Sequence, residues 1–565
     1  MAIFDTLDLK GAQAAVQART PGEGAAEAID FYRGEHFRDG TGWIGQRPPA
    51  NDPGYAAFLD AVAASFVSEN VTREVVERHV NGILGREPRW SLVPARPLAD
   101  GEAPTAEEAA HIAEAEAALT AWWDRRKPLL TLQEALTTAL LAGRAALRLL
   151  VPAGRRDPNG QLRAADLGAA LDLLYLDAPD PAACAVAVDP DTRDEVGIYA
   201  YRRKAADPAT PWRRGEAGDF AEVTYRTDEG ATMLRVLGPG GVVAETAPPL
   251  ALGGRLLMHE LARDPLITPQ VRQLQKALNL DLTQLVRNVN LAGSLERIFL
   301  NAQRPGQWVD ANGNPWVEGV STGSKTFKAE PLPVGAGVSA FLMGAKVYGE
   351  SGELKGYANP AVSYRDPVAV DTFTATRQAA RLAILDQVGQ LHAEIAGDAT
   401  ASGESRKQAR AEFAATLART KTRLDDAGRW LVETALAWAA AISGQPDRYA
   451  GLRCEFAAQA DPGPLTADER NEIIKEHTEG LLSRETAIGR LGGDDPDAEI
   501  ARIEAERQAR DAQFIAIAGQ AIRPTSAQPG GTQQPGQGQG QGTGQGGAPM
   551  PMGASNQAGL QGGQG

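Results

Sequence analysis

The segment from Val368 to Ser443 constrains the fold of this chain more than any other. Its first half, DTFTATRQAARLAILDQVGQLHAEIA, carries Phe373, Ala380, Ile384, Val388, Leu391 and Ile395 at steps of three, four or seven. That spacing places them on one face of a helix. A polar break, GDATASG, follows from Gly397 to Gly403. Its residues lower helix propensity and favour caps or turns. A second helix is predicted from SGESRKQARAEF, with Ser402 or Ser405 as N-cap, and on through LDDAGRWLVETALAWAAAIS. Leu417, Leu424, Leu431 and Leu436 lie near one stripe, and Gly444 and Pro446 supply the stop. Long helices take their stability in water mostly from packing an amphipathic face, so this pair implies a large partner surface.

At 565 residues the chain exceeds what one hydrophobic core usually holds. A formal charge of -15 argues against coating a nucleic-acid backbone, which needs a basic surface. An acidic chain can still enclose DNA without gripping it. Cys184 and Cys454 are too few and too distant for a disulfide framework or a cysteine metal site. No signal peptide is visible in MAIFDTLDLKGAQAAVQ, and no apolar run reaches the length of a membrane span. The expectation is a soluble protein made in a cytoplasm, with no membrane partner.

Taken in order, residues 1–50 read as an arm with one helix. SENVTREVVERHVNGIL, Ser68 to Leu84, reads as a helix capped by Asn70 or Ser68, and REPRWSLVP as a strand. Helices are predicted over Thr105 to Trp123 and Leu132 to Leu141, with a strand after Gly143. Residues 172–248 alternate in short runs broken by Asp, Pro and Gly, which marks a β-region. Thr268 to Ala292 reads as a helix about 40 Å long, with Pro269 in its first turn. Residues 294–367 read as a small β-subdomain with strands ERIFLNA, GQWVD, PWVEGV and KTFKAEPL, inserted between that helix and the next. GLRCEF reads as a strand, followed by two short helices and one charged helix. From Pro524 the sequence is almost all Gly, Gln, Pro and Ser, and disorder is expected.

The chemical motifs are weak. GVSTGSKT, Gly319 to Thr326, lacks the Gly before Lys that a phosphate loop needs, and no apolar strand precedes it. A surface turn is preferred, with Lys325 and Lys328 as charges at a tip. GPGG at Gly238 to Gly241 reads as a hairpin turn. The six histidines, His36, His79, His111, His259, His392 and His477, show no metal-ligand spacing, and His79 and His392 read as packing residues. Asp398, Glu404, Asp425 and Asp426 form no readable acid–base pair. No enzyme activity, cofactor or metal is expected. Residues 266–367 hold 10 Lys and Arg against 8 Asp and Glu, a net of +2, leaving -17 for the remainder. That near-neutral segment suits a partner contact.

Four stretches together resemble the portal proteins of tailed bacteriophages, in the siphovirus-like head-to-tail connector group. They are ENVTREVVERHVNGILGREPRWSL at 69–92, PLITPQVRQLQKALNLDLTQLVRNVNLAG at 265–293, the helix through SGESRKQARAEF at 368–413, and EGLLSRETAIGRLGGDDPDAEIARIEAE at 479–506. The resemblance covers most of residues 25–515. It implies a helix-rich α+β fold with wing, stem, clip and crown. The parts would be an N-terminal arm and wing (1–265), a descending stem helix (266–293), a β-rich clip (294–367), an ascending stem helix (368–396), a tunnel loop (397–402), a long wing helix and strand (403–460), a helical crown (461–523) and a disordered tail (524–565). It further implies a ring of about twelve copies at one capsid vertex. Double-stranded DNA would pass through it during packaging and ejection. The implied partners are the terminase large subunit, the major capsid and scaffolding proteins, and head-completion or tail adaptors. The implied location is the virion, after synthesis in the bacterial host. Gly397, Asp398, Ala399, Thr400, Ala401 and Ser402 would face the channel, and Lys325 and Lys328 would meet the packaging motor. The rival readings are an ATPase that processes nucleic acid through GVSTGSKT, and a helical adaptor or scaffold without a DNA role.

Overall fold

The computed structural model describes residues 3–37, 49, 51–98, 102–152, 162–203, 218–246, 249–293, 297–303, 306–321, 323–330, 343–364, 368–395, 403–461, 467–491 and 496–521. Two units divide the chain, Met1–Thr466 and Ala467–Gly565.

The first unit opens with a short 3-10 turn and then α1 (Leu9–Ala18), α2 (Glu23–Arg33), α3 (Tyr55–Ser65) and α4 (Val71–Leu84). Among the described residues of the N-terminal fifty there are thus two helices, not the single one expected. The cause is a second set of helix signals: Asp8 caps Gly11 at one start, and Gly34 in a left-handed conformation ends α2. Next come β1 (Arg89–Pro94), α5 (Ala106–Arg126), α6 (Pro128–Ala142), β2 (Arg144–Leu150), α7 (Leu167–Leu171) and β3 (Tyr175–Asp177). Thr105 and Glu108 form a reciprocal capping box on α5, and Pro128 opens α6. Asn70 is the cap of α4, so that helix starts three residues later than Ser68.

Five strands then form one antiparallel meander: β4 (Cys184–Val188), β5 (Glu195–Arg203), β6 (Gly218–Arg226), β7 (Thr232–Gly238) and β8 (Gly241–Glu245). Gly238 pairs with Gly241, so GPGG is the hairpin turn its composition predicts. Ala12 and Val16 of α1 pack on the sheet with Val196, Ile198 and Val223. β9 (Met258–Ala262) pairs with β2, which also pairs with β3.

The remaining elements of this unit are α8 (Pro269–Gly293), β10 (Arg297–Leu300), β11 (Gly306–Val309), β12 (Thr326–Ala329), β13 (Lys346–Tyr348), β14 (Leu354–Tyr357), β15 (Ala361–Tyr364), α9 (Val370–Gln387), α10 (His392–Ile395), α11 (Gly403–Ile442) and β16 (Leu452–Ala457). The second unit contains α12 (Ala467–Thr478), α13 (Arg484–Arg490) and α14 (Pro496–Ala521). There Ser483 caps α13, and Arg490 pairs with Glu476. The chain is 48% helical and 20% strand, so helix predominates. Among the described residues every paired strand is antiparallel, as in an α+β fold.

The largest core gathers α4, α5, α6 and α11 around Val75, Ile83, Trp122, Leu136 and the four stripe leucines Leu417, Leu424, Leu431 and Leu436. α11 is about 60 Å long and reaches Gly444, whose left-handed backbone closes it. Ser405 lies inside this helix rather than at its cap, and Ser402 lies outside the described residues. Two carboxylates of α11 also hold the edge of β16. Asp425 accepts from Ala458 N–H at 2.7 Å and Glu433 from Cys454 N–H at 2.9 Å. Eight helical residues and four strand residues both span about 12–14 Å, so one pitch matches the other. β16 pairs with β1, and Glu116 of α5 takes the outward Leu92 N–H at 2.8 Å. Both edges of this two-stranded ribbon therefore carry a carboxylate cap.

The first long helix breaks earlier than its stripe predicts. α9 stops at Gln387, where Gly389 is left-handed and Gln390 N–H reaches back to Leu385 C=O. That is a Schellman-type stop. The stripe residues Ala380, Ile384 and Val388 are buried all the same.

Candidate functional site

α8 and α9 pack side by side, running in opposite directions, and the β-strand segment leaves from one and returns to the other. Asn288 latches the neck. Its Nδ2 donates to Val368 C=O at 2.7 Å and its Oδ1 accepts from Val368 N–H at 2.9 Å. A single side chain thus satisfies both backbone groups of the residue that begins the return.

Glu69 joins the same two helices from the side. Its backbone N–H donates to Asn279 Oδ1 at 3.3 Å and its C=O accepts from Gln275 Nε2 at 2.6 Å, both on α8. Its carboxylate takes Arg377 and Arg381 of α9 at 2.7 and 2.8 Å. Arg381 also reaches Glu74 of α4 and Glu394 of α10. Burial works to raise the Glu74 carboxyl, but the Arg381 and Arg78 guanidiniums outweigh it and hold it below the usual range. Gln275, Asn279 and Thr283 form a buried ladder at steps of four on α8, and they bind the backbone of Val67 and Glu69 before α4 and of Thr72 in its first turn. Motif reading passed over these residues because amides and hydroxyls on a helix read as a solvated face. Their step of four was the available signal.

Asp281 lies on the same helix with Oδ2 buried and unbonded among the described residues. Burial raises its pKa from the ordinary value. The folded state therefore binds the proton more tightly than the unfolded state does. Stability is full below the unfolded pKa and falls as pH rises through the folded one. Asp281→Asn is expected to raise the melting temperature at pH 7 and to make little difference near pH 3. A gain that stays constant across this range in thermal melts would refute the assignment.

The inserted segment contains three separate two-stranded ladders, β10–β15, β11–β12 and β13–β14. PWVEGV does not form the strand predicted for it: only Pro315 makes a single bridge, and β11 pairs instead with β12. Asp310 accepts from Asn312 and Asn314 N–H and tightens the DANGNP turn, which brings Trp316 N–H to Trp308 C=O at 2.7 Å, and a second turn in which Val320 and Ser321 N–H donate to Val317 C=O ends the run there. Lys325 places Nζ 5.5 Å from the centre of the Trp308 ring, which Phe327 meets edge-on. Lys328 sits opposite Gln307. Strand alternation puts Lys328 on the face opposite Phe327 and the Lys325–Trp308 contact. The two lysines thus share a hairpin but not a face. Thr326 opens a strand where a phosphate loop needs a helix N-terminus, which argues against a nucleotide cradle in GVSTGSKT. Trp308 is half exposed and Val320 is 77% exposed, with Val317, Met343, Tyr348 and Tyr357 also open to solvent.

The other predicted site residues, Gly397, Asp398, Ala399, Thr400, Ala401 and Ser402, lie outside the described residues, as does the tail from 524. The approach to that segment is described. Gln390 is fully buried, donates to Val75 C=O at 2.8 Å and accepts from Arg78 at 3.0 Å. His392 stacks on Phe413 of α11 at 4.4 Å, and burial, aided by Arg78 and Arg410, pushes its pKa down to about 4. His79 is buried beside Thr420 and Arg263, and burial followed by the Arg263 charge takes it to about 3. Both are neutral packing histidines at pH 7. Among the described residues no group of three or more His, Cys, Asp and Glu is placed to hold a metal, and no helix is long and apolar enough to cross a membrane. Cys184 and Cys454 are buried and free.

No protein-family model matches the chain, and no curated protein matches it either.

Proposed function

We propose that this chain is a portal protein: a subunit of a ring at one capsid vertex through which double-stranded DNA is packaged and ejected. The observation that carries this reading is the antiparallel pair α8–α9 with a β-subdomain inserted at its end and latched by Asn288. The resemblance of four ordered stretches to that family supports it. So does the open apolar surface of the insert. Two-stranded ladders bury little by themselves, and large apolar side chains left open on them suit a contact with another chain. In this reading α8 and α9 are stem helices, the insert is the clip, and the long α11 belongs to the wing. Residues 397–402 narrow the channel, where Asp398 repels phosphates within about 8 Å at physiological salt. The clip meets the terminase large subunit during packaging and head-completion or tail adaptors afterwards. Capsid and scaffolding proteins hold the rim within the virion.

Negative-stain imaging of purified protein tests the ring. Closed rings with a central hole are expected, and a monomer would refute the reading. Lys325→Glu with Lys328→Glu, both exposed, is expected to leave rings intact and to lower terminase-dependent packaging by about tenfold or more. Unchanged packaging with intact rings would remove these lysines from the docking surface. Because the two lie on opposite faces, the single variants show which face the motor uses.

A further inference from the structure

An open groove of about 620 Å³ lies on the β1–β16 ribbon, away from the stem and clip residues described above. Arg89 and Ser91 of β1, Arg453 and Glu455 of β16, and Arg429 of α11 line it, with the half-buried Trp90 at its side. The ribbon's alternation sends Arg89, Ser91, Arg453 and Glu455 to the solvent face, while Leu92, Cys454 and Phe456 turn into the core. Three guanidiniums thus stand with two carboxylates, Glu455 on the ribbon and Asp426 beside Arg429, inside a strongly acidic chain. Arg453 lies 3.1 Å from Glu455 and Arg429 lies 3.6 Å from Asp426, and all four side chains are about half exposed. Exposed pairs of this kind are weak and exchange readily with an incoming carboxylate.

We infer that this groove binds an acidic, extended polypeptide segment of a partner protein. Guanidinium forks match carboxylates through two parallel hydrogen bonds. The groove's volume lies within the range of binding pockets. The segment crosses the ribbon's face and does not add a strand at its edge. Glu116 on one side, and Glu433 and Asp425 on the other, already occupy outward N–H groups there. Glu455 and Asp426, with the chain's charge of -15, disfavour a polyphosphate backbone. A short peptide brings few charges, and its own N–H groups can donate to Glu455. The inference stands apart from the portal reading, since it uses neither the clip nor the stem.

The test uses the full chain and a fluorescein-labelled hexapeptide of Gly and Ser with one Asp and one Glu, followed by fluorescence anisotropy. Saturable binding that weakens with salt is expected. Arg429→Glu with Arg453→Glu is expected to weaken it by about tenfold or more. Both side chains are exposed, so the melting temperature of that variant should match the parent; Arg89→Gln serves as a milder second variant. A short DNA duplex is expected not to displace the peptide. Equal peptide binding in parent and variants, absence of saturable binding, or tighter binding of the duplex than of the peptide would each overturn the inference.

Discussion

Asn279→Leu is expected to destabilise the first unit by about 2–4 kcal/mol, far more than a surface amide change. Asn279 is 2% exposed and has three partners. Its Oδ1 accepts from Glu69 N–H and from Gln275 Nε2, and its Nδ2 meets His36 Nδ1 at 3.1 Å. Leucine fits the volume but supplies none of these bonds. The Glu69 N–H would remain buried without a partner and the His36 nitrogen would lose one of its two, and a buried orphan costs about 1–3 kcal/mol. The damage should spread because Glu69 also carries the ion pairs to Arg377 and Arg381 that tie α8 to α9. Hydrogen exchange at the amides of residues 67–72 should quicken by about tenfold or more, with a matching fall in the urea midpoint. A variant within about 0.5 kcal/mol of the parent would show that the ladder adds nothing to stability.

Gly428→Ala is expected to destabilise by about 1–3 kcal/mol, reversing the usual gain of about 1 kcal/mol for this change within a helix. Gly428 lies between Asp425 and Glu433 on α11, where the helix presses on β16. A Cβ there would lie 2.4 Å from the Phe456 ring. Phe456 is buried and abuts Trp123, so the ring has little room to swing away. Displacing it would also pull β16 from the two carboxylates that cap its edge. Phe456→Leu in the same chain should offset part of the loss, giving a coupling of about 1 kcal/mol in a double-mutant cycle. Additive effects in thermal melts would place the strain elsewhere.

Helix identity was legible from the sequence wherever local chemistry decides it. The leucine stripe of α11, the start of α8 at Pro269 and the GPGG hairpin each depend on residues within a few positions of one another. Periodicity did not reveal the stop at Gly389, because the apolar stripe continues across it through Leu391 and Ile395. The stop follows from the left-handed glycine and from Gln390, whose side chain is bound by Val75 and Arg78 more than three hundred residues away. Lys325 and Lys328 were visible as charges near a turn. Their separation onto two faces depends on the pairing of β11 with β12, which no local spacing announces.

Local spacing by itself determined most of the long helices and that a β-rich insert lies between two of them, but not α3, α7 or the division of the N-terminal arm into α1 and α2. Only the tertiary structure decided that β1 pairs with β16 across the chain, that Glu69 joins α8 to α9, and that Gly428 is required for contact with Phe456. The physical reason is range. Caps, turns and periodic faces are set by neighbours along the chain. Buried amides, edge carboxylates and a glycine under an aromatic ring are set by groups that only folding brings together, and their residue types read as ordinary surface until the partner is in place.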